Sequence, residues 1–165
     1  APIAEVWRAL TTPSVIKQWF FGVDTRSDWT EGSDIVHTGE WQGKPYVDKG
    51  TIVRFELERL LVHTHWSDVS GKPDAAEHYQ IVAWDLAERD GGTELTITER
   101  NLPSAEAAET SEAAWKGALQ SLKDMLERID VNDRAQLSEP RFYNIRWLEL
   151  LNEVGPRIER FGSVL

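Results

Sequence analysis

The chain predicts an α+β fold in which a curved antiparallel sheet closes around one long helix. Three observations predict it. Helical periodicity opens the chain, strand periodicity fills residues 35–100, and a single sustained apolar stripe follows Pro103. Eight tryptophans are spread along the 165 residues, and there is no cysteine. Rings of that size fill a core or line a hollow in it, and each carries an N–H that needs a partner.

Taken in order, Pro2 and Ile3 lead into Val6, Trp7 and Leu10, which share one helical face. Thr12-Pro13 restarts the chain with a capping residue and a proline at the first helical position. Val15, Ile16, Trp19 and Phe20 then form an apolar face that Gly22 ends. Glu31-Gly32 marks a turn, residues 35–41 read as a strand, and Gly43-Lys44-Pro45 reads as a loop. Residues 51–61 give the clearest strand pattern. Val53, Phe55 and Leu57 alternate with Arg54, Glu56 and Glu58, which predicts a buried face and a wet face carrying cross-strand ion pairs. Residues 62–66 form the next strand and residues 68–76 a loop. Residues 78–88 and 93–100 then make a hairpin about Asp90-Gly91-Gly92, with Leu95 and Ile97 facing opposite to Thr96 and Thr98.

Pro103-Ser104 caps a helix that runs to about Ile129. Trp115, Leu119, Leu122, Leu126 and Ile129 recur at alternating spacings of four and three, a stripe along a rod roughly 37 Å long. Residues 131–138 read as a polar connector and 140–154 as a further helix, stopped by Gly155-Pro156. The chain thus divides into a domain at 1–130 and a helical extension at 131–165.

Eighteen basic residues against 28 acidic ones give a formal charge of −10. Such a surface repels phosphate backbones and anionic lipid, which excludes nucleic acid as a partner. The lack of cysteine excludes a disulfide framework, thiol catalysis and zinc–thiolate sites, and fits a cytoplasmic protein. No apolar run approaches the roughly 20 residues needed to span a bilayer.

The opening from Pro2-Ile3-Ala4-Glu5-Val6-Trp7 to Thr12-Pro13, with Lys17-Gln18-Trp19-Phe20, resembles the START-like or SRPBCC superfamily. Within it, the branch named after the activator of the Hsp90 ATPase is most similar. Residues 77–86, the hairpin strand Gly91-Gly92-Thr93-Glu94-Leu95-Thr96-Ile97-Thr98, and Ser111-Glu112-Ala113-Ala114-Trp115 carry the same resemblance, which covers about residues 1–130. The resemblance implies a helix-grip fold, with six or seven antiparallel strands around the long helix and an apolar cavity between them. It implies no single activity, because relatives include lipid carriers, hormone-binding proteins and polyketide cyclases. The strand that such domains carry before the opening helix is expected to be absent or just upstream of Ala1, which would leave a sheet edge open.

The candidate site follows from these readings. Trp19, Phe55, Trp66, Trp84, Trp115 and Leu119 are expected to supply apolar walls between sheet and helix, with His63 and Glu99 as polar contacts. Glu99 shares the face of Leu95 and Ile97, so it is also the candidate general base. His63 and His65 share a strand face with His78 nearby, but no third ligand stands at a diagnostic spacing, and neither a metal nor a cofactor is expected. The leading expectation is a carrier of a small apolar or amphipathic ligand. The alternatives are a cyclase- or hydrolase-like enzyme with an acid–base residue in the hollow, and a co-chaperone-like or regulatory interaction module. In the tail, Phe142, Tyr143, Ile145, Trp147, Leu148, Leu150 and Leu151 predict a helix apolar over more than half its circumference, which would serve as a lid or pair two copies as a homodimer.

Overall fold

The structure, a computed structural model, describes the backbone of residues 1–134 and 159–164 and the side chains of residues 1–128. Two short helices, α1 (Ile3–Thr11) and α2 (Pro13–Trp19), precede six strands: β1 (Asp24–Ser27), β2 (Asp34–Trp41), β3 (Lys44–Glu56), β4 (Leu60–Ser67), β5 (Gln80–Arg89) and β6 (Gly92–Arg100). The long helix α3 (Ala105–Arg134) follows, and β7 (Glu159–Val164) completes the described elements. The strands form one antiparallel sheet in chain order, β1 to β7. This is the helix-grip arrangement of the α+β class, with α3 along the inner face.

Local chemistry explains most boundaries. Val6, Trp7, Ala9 and Leu10 form the buried stripe of α1. Pro13 opens α2 as expected, but Thr12 makes no side-chain capping bond. After α2 the chain reverses through Phe21 and Gly22, both at positive φ. Asp90 and Gly91 also both have positive φ, the geometry whose twist matches a two-residue hairpin. Ser104 caps α3 through its Oγ, which accepts the Ala107 N–H at 3.1 Å.

The first three strands depart from the sequence reading in three ways. The short strand β1 was not foreseen, because four residues with one buried side chain leave no period to read. The turn falls at Gln42-Gly43 rather than 43–45, so Lys44 and Pro45 already belong to β3. Pro45 is tolerated there because β3 pairs only with β2 at that point; pairing with β4 begins at Asp48. Finally, only one of the three residues expected on the buried face of β3, Phe55, packs against the core. Ile52 is buried while Val53 and Leu57 are exposed. Ile52 pairs with His63 and Arg54 with Val62, leaving Val53 as the extra residue of a β-bulge. The bulge resets the alternation, so Ile52 and Phe55 share the inner face, and Leu57 lies in the turn beyond the strand. Arg54 and Glu56 do pair, but along one strand (Nε to Oε1, 2.8 Å) rather than across two.

Two described stretches near the C-terminus also differ from expectation. The helix continues to Arg134, through the start of the expected connector. Residues 159–164, read as part of a helical extension, pair as a strand with β6, Leu95 opposite Ser163 and Ile97 opposite Phe161. The row of unpaired backbone groups on that edge of β6 is thereby satisfied instead of left open. The expected helix at 140–154, with its apolar face and its dimer or lid role, lies outside the described residues. No helix of the described residues is long and apolar enough to cross a membrane.

Candidate inner-face site

Directly opposed residues of antiparallel strands project from the same face, so the pairing register assigns the inner face residue by residue. The face divides into two territories. One is apolar, built on Ile52, Leu61, Val82, Trp84, Leu95 and Ile97, all buried, against Ala118, Leu119, Leu122 and Leu126 of α3. The other is polar. Thr25, His37 and Asp48 stand in register across β1, β2 and β3, and His65 stands opposite Gln80 across β4 and β5.

Side-chain bonds join this polar row. The Thr25 hydroxyl meets His37 Nδ1 at 2.8 Å. His65 Nε2 faces Asp48 Oδ2 at 3.5 Å, and its Nδ1 meets Gln80 Oε1 at 3.0 Å. Both ring nitrogens of His65 thus look at acceptors, an arrangement that suits the imidazolium. Burial pulls the His65 pKa down, but the hydrogen bond and charge of Asp48, the Gln80 bond and the Glu99 charge outweigh it, so the net shift is upward. Burial likewise pushes Asp48 up, and His65, Ser67 and His37 more than reverse this, leaving its carboxyl below the usual range. His37 falls to about 4, through burial first and then the His65 charge, against a smaller opposing effect of Asp48.

These groups are desolvated yet within reach of solvent. The side chains of His65 and Asp48 keep 26% and 19% of their exposure, although burial is the largest influence on both. Crowding by protein is thus combined here with access for water. Aromatic surface adjoins it. The Phe20 ring meets His37 edge-on at 5.9 Å and stacks within 2° of parallel on Trp115 at 5.8 Å.

The expected site residues separate into several places. Trp84 and Trp115 do face the space between sheet and helix, but they interlock edge to face at 5.0 Å. They therefore fill that part of the interior against each other. Trp19 is buried beside them, 6.3 Å from Trp84, with its N–H donated to the Ala9 carbonyl at 2.9 Å. Leu119 is core. Phe55 packs under α1 against Trp7 at 5.2 Å, away from the polar row. Trp66 corrects the expectation outright. It pairs with Lys49 on the outer face, where it stacks on Tyr79 at 6.4 Å and donates to the Pro73 carbonyl at 3.1 Å. Strand alternation dictates this, since His63 and His65 already take the inner positions.

His63 is buried and fully engaged. Its Nε2 accepts the Trp84 N–H at 3.1 Å, so its proton sits on Nδ1 and is donated to the Thr64 carbonyl at 2.9 Å. Burial lowers its pKa to about 3. Glu99 faces inward, 4% exposed, and accepts the hydroxyl of Ser111 on α3. His78 lies in a short turn outside the sheet, bonded to the Pro73 carbonyl. The three histidines considered together thus have three separate sets of partners. Among the described residues no three histidine, aspartate or glutamate side chains converge as metal ligands.

Sequence reasoning missed His37, Asp48, Gln80 and Phe20. His37 shares the alternation of Ile35, so its inward direction was available. Asp48 was hidden because Lys44, Pro45 and Gly50 interrupt any apolar period in β3. Gly50 is required there, since a Cβ would overlap the Thr64 carbonyl.

Comparison with known proteins agrees with this architecture. The family described as Activator of Hsp90 ATPase homolog 1-like protein matches residues 1–127. A solved Cytophaga hutchinsonii protein is 42% identical, covering 79% of this chain and 90% of its own, with a TM-score of 0.69. CalU16 from Micromonospora echinospora is 30% identical over 74% of this chain and 65% of its own, with a TM-score of 0.56. MLL2253 from Mesorhizobium loti, 20% identical over 77% of this chain and 90% of its own, shares the fold with a TM-score of 0.63. None of the curated proteins compared with the chain matches it.

Proposed function

The chain belongs to the family of activator of Hsp90 ATPase homolog 1-like proteins, and from that premise we propose that it binds a small amphipathic molecule between the sheet and α3. The observation that carries this reading is the polar row, desolvated yet open to water, beside the Phe20–Trp115 stack. A guest of mixed character matches both surfaces, with its apolar part on the rings and its polar end on the row. Burial of the apolar part favours binding by roughly 25 cal/mol per Å², before the cost of immobilisation. The interlocked Trp84 and Trp115 move the expected position from the centre of the grip toward Phe20 and His37. A cysteine-free acidic chain suits the cytoplasm as its working place.

An acid–base reaction centred on Glu99 is the weaker reading, because that carboxylate is buried and already held by Ser111. Titration with the neutral fluorophore N-phenyl-1-naphthylamine tests the binding reading. Saturable uptake with quenching of tryptophan emission is expected, and Trp115→Ala should weaken it about tenfold. Emission that never saturates, or an affinity untouched by that substitution, rejects a site at this place.

A further inference from the structure

We propose that the polar row is a recognition site for a neutral hydroxyl group carried on an aromatic molecule. This deepens the binding reading above and rests on it. Asp48 supplies the acceptor. Its Oδ2 faces His65, while Oδ1 is buried with no hydrogen-bond partner among the described residues. A carboxylate oxygen left in that state is unfavourable, and a donor from a ligand relieves it. The side chain keeps 19% of its exposure, and rotation about Cβ–Cγ is soft in aspartate. Oδ1 is itself shielded from solvent, so in the proposed complex a partial rotation turns it toward the guest while Oδ2 stays within reach of His65.

His37 supplies the donor. It stands in register with Asp48, and its Nδ1 is engaged by the Thr25 hydroxyl. In the proposed arrangement the Thr25 hydroxyl donates to Nδ1 and the neutral ring carries its proton on Nε2, which makes no hydrogen bond among the described residues. A hydroxyl is the smallest group that can donate to Asp48 and accept from His37 at once.

Charge narrows the choice further. An anionic guest placed against the Asp48 carboxylate meets like-charge repulsion. An ammonium would satisfy Asp48 but could accept nothing from His37. Phe20, edge-on to His37 and stacked on Trp115, sets a flat aromatic surface next to the hydroxyl position.

Three probes of one ring system test this: naphthalene, 2-naphthol and 2-naphthoate, titrated by tryptophan fluorescence against the wild-type chain and Asp48→Asn. Wild type should bind 2-naphthol roughly tenfold more tightly than naphthalene and 2-naphthoate least. In Asp48→Asn the amide oxygen stays on His65 and the NH₂ takes the place of Oδ1. The naphthol advantage should then shrink to about twofold or less, and naphthoate should gain. Equal binding of naphthalene and 2-naphthol, or a preference unchanged in Asp48→Asn, overturns the hydroxyl site and leaves the binding reading standing. Saturable binding by none of the three overturns both. Should Asp48→Asn fail to fold by circular dichroism, His37→Phe replaces it; loss of the naphthol preference supports the proposal and its retention overturns it.

Discussion

His63 shows how one side chain ties local chemistry to the pH behaviour of the whole chain. Its neutral form is held by burial, and its accepting nitrogen is occupied by the Trp84 N–H, which a second ring proton would displace. Because its folded pKa of about 3 lies below the ordinary value of 6.5, the unfolded chain takes up the proton first. The stabilisation is therefore complete above about pH 6.5 and is lost as pH falls toward the folded value. His37, at about 4, acts with the same sign; His65, shifted upward, acts with the opposite sign and loses stability as pH rises. His63→Gln keeps an acceptor for Trp84 and removes the titration. Urea denaturation should show wild type losing more stability than His63→Gln between pH 7 and 5, by about 2 kcal/mol. Parallel pH profiles for the two proteins would refute the assignment. The inward direction of His63 and Glu99 was legible from alternation alone; their partners were not, because Trp84 and Ser111 approach from other elements.

Among the elements, β3 is the instructive case. Val53, Phe55 and Leu57 alternate well enough in the sequence to predict a buried face, but only Phe55 keeps it: the bulged Val53 turns outward, and Ile52 and Phe55 on either side of it both face inward. A bulge leaves no mark on hydrophobic period, whereas β6, without one, reads correctly along its whole length. The burial of Ile52 in place of Val53 has an energetic consequence. Ile52→Ala removes a fully buried side chain and should cost about 2–5 kcal/mol. Val53→Ala, at an exposed position, should stay within about 0.5 kcal/mol. Equilibrium unfolding of the two variants decides the matter, since the face read from the sequence predicts the reverse order.

For the whole molecule, the fold depends on how α3 is fixed against the sheet. Its apolar stripe packs on the core through Ala118, Leu119, Leu122, Met125 and Leu126, and one polar tie, Ser111 to Glu99, pins the helix to β6. Ser111→Ala would leave a buried carboxylate short of its donor. Thermal or urea unfolding should register a loss of about 1–3 kcal/mol, and Glu99→Gln, which can still accept from Ser111, should cost less. If Ser111→Ala proved neutral, the tie would carry no weight in holding the grip. By itself the sequence determined the two opening helices, the hairpin of β5 and β6 with its turn at Asp90-Gly91, and the long amphipathic helix, because periodicity and turn chemistry are local properties of the chain. Only the tertiary structure decided that Trp84 and Trp115 fill rather than line the interior, and that His37, Asp48, His65 and Gln80 meet. Those outcomes depend on strand register and on packing between elements, which bring together side chains distant in sequence and leave no periodic trace in it.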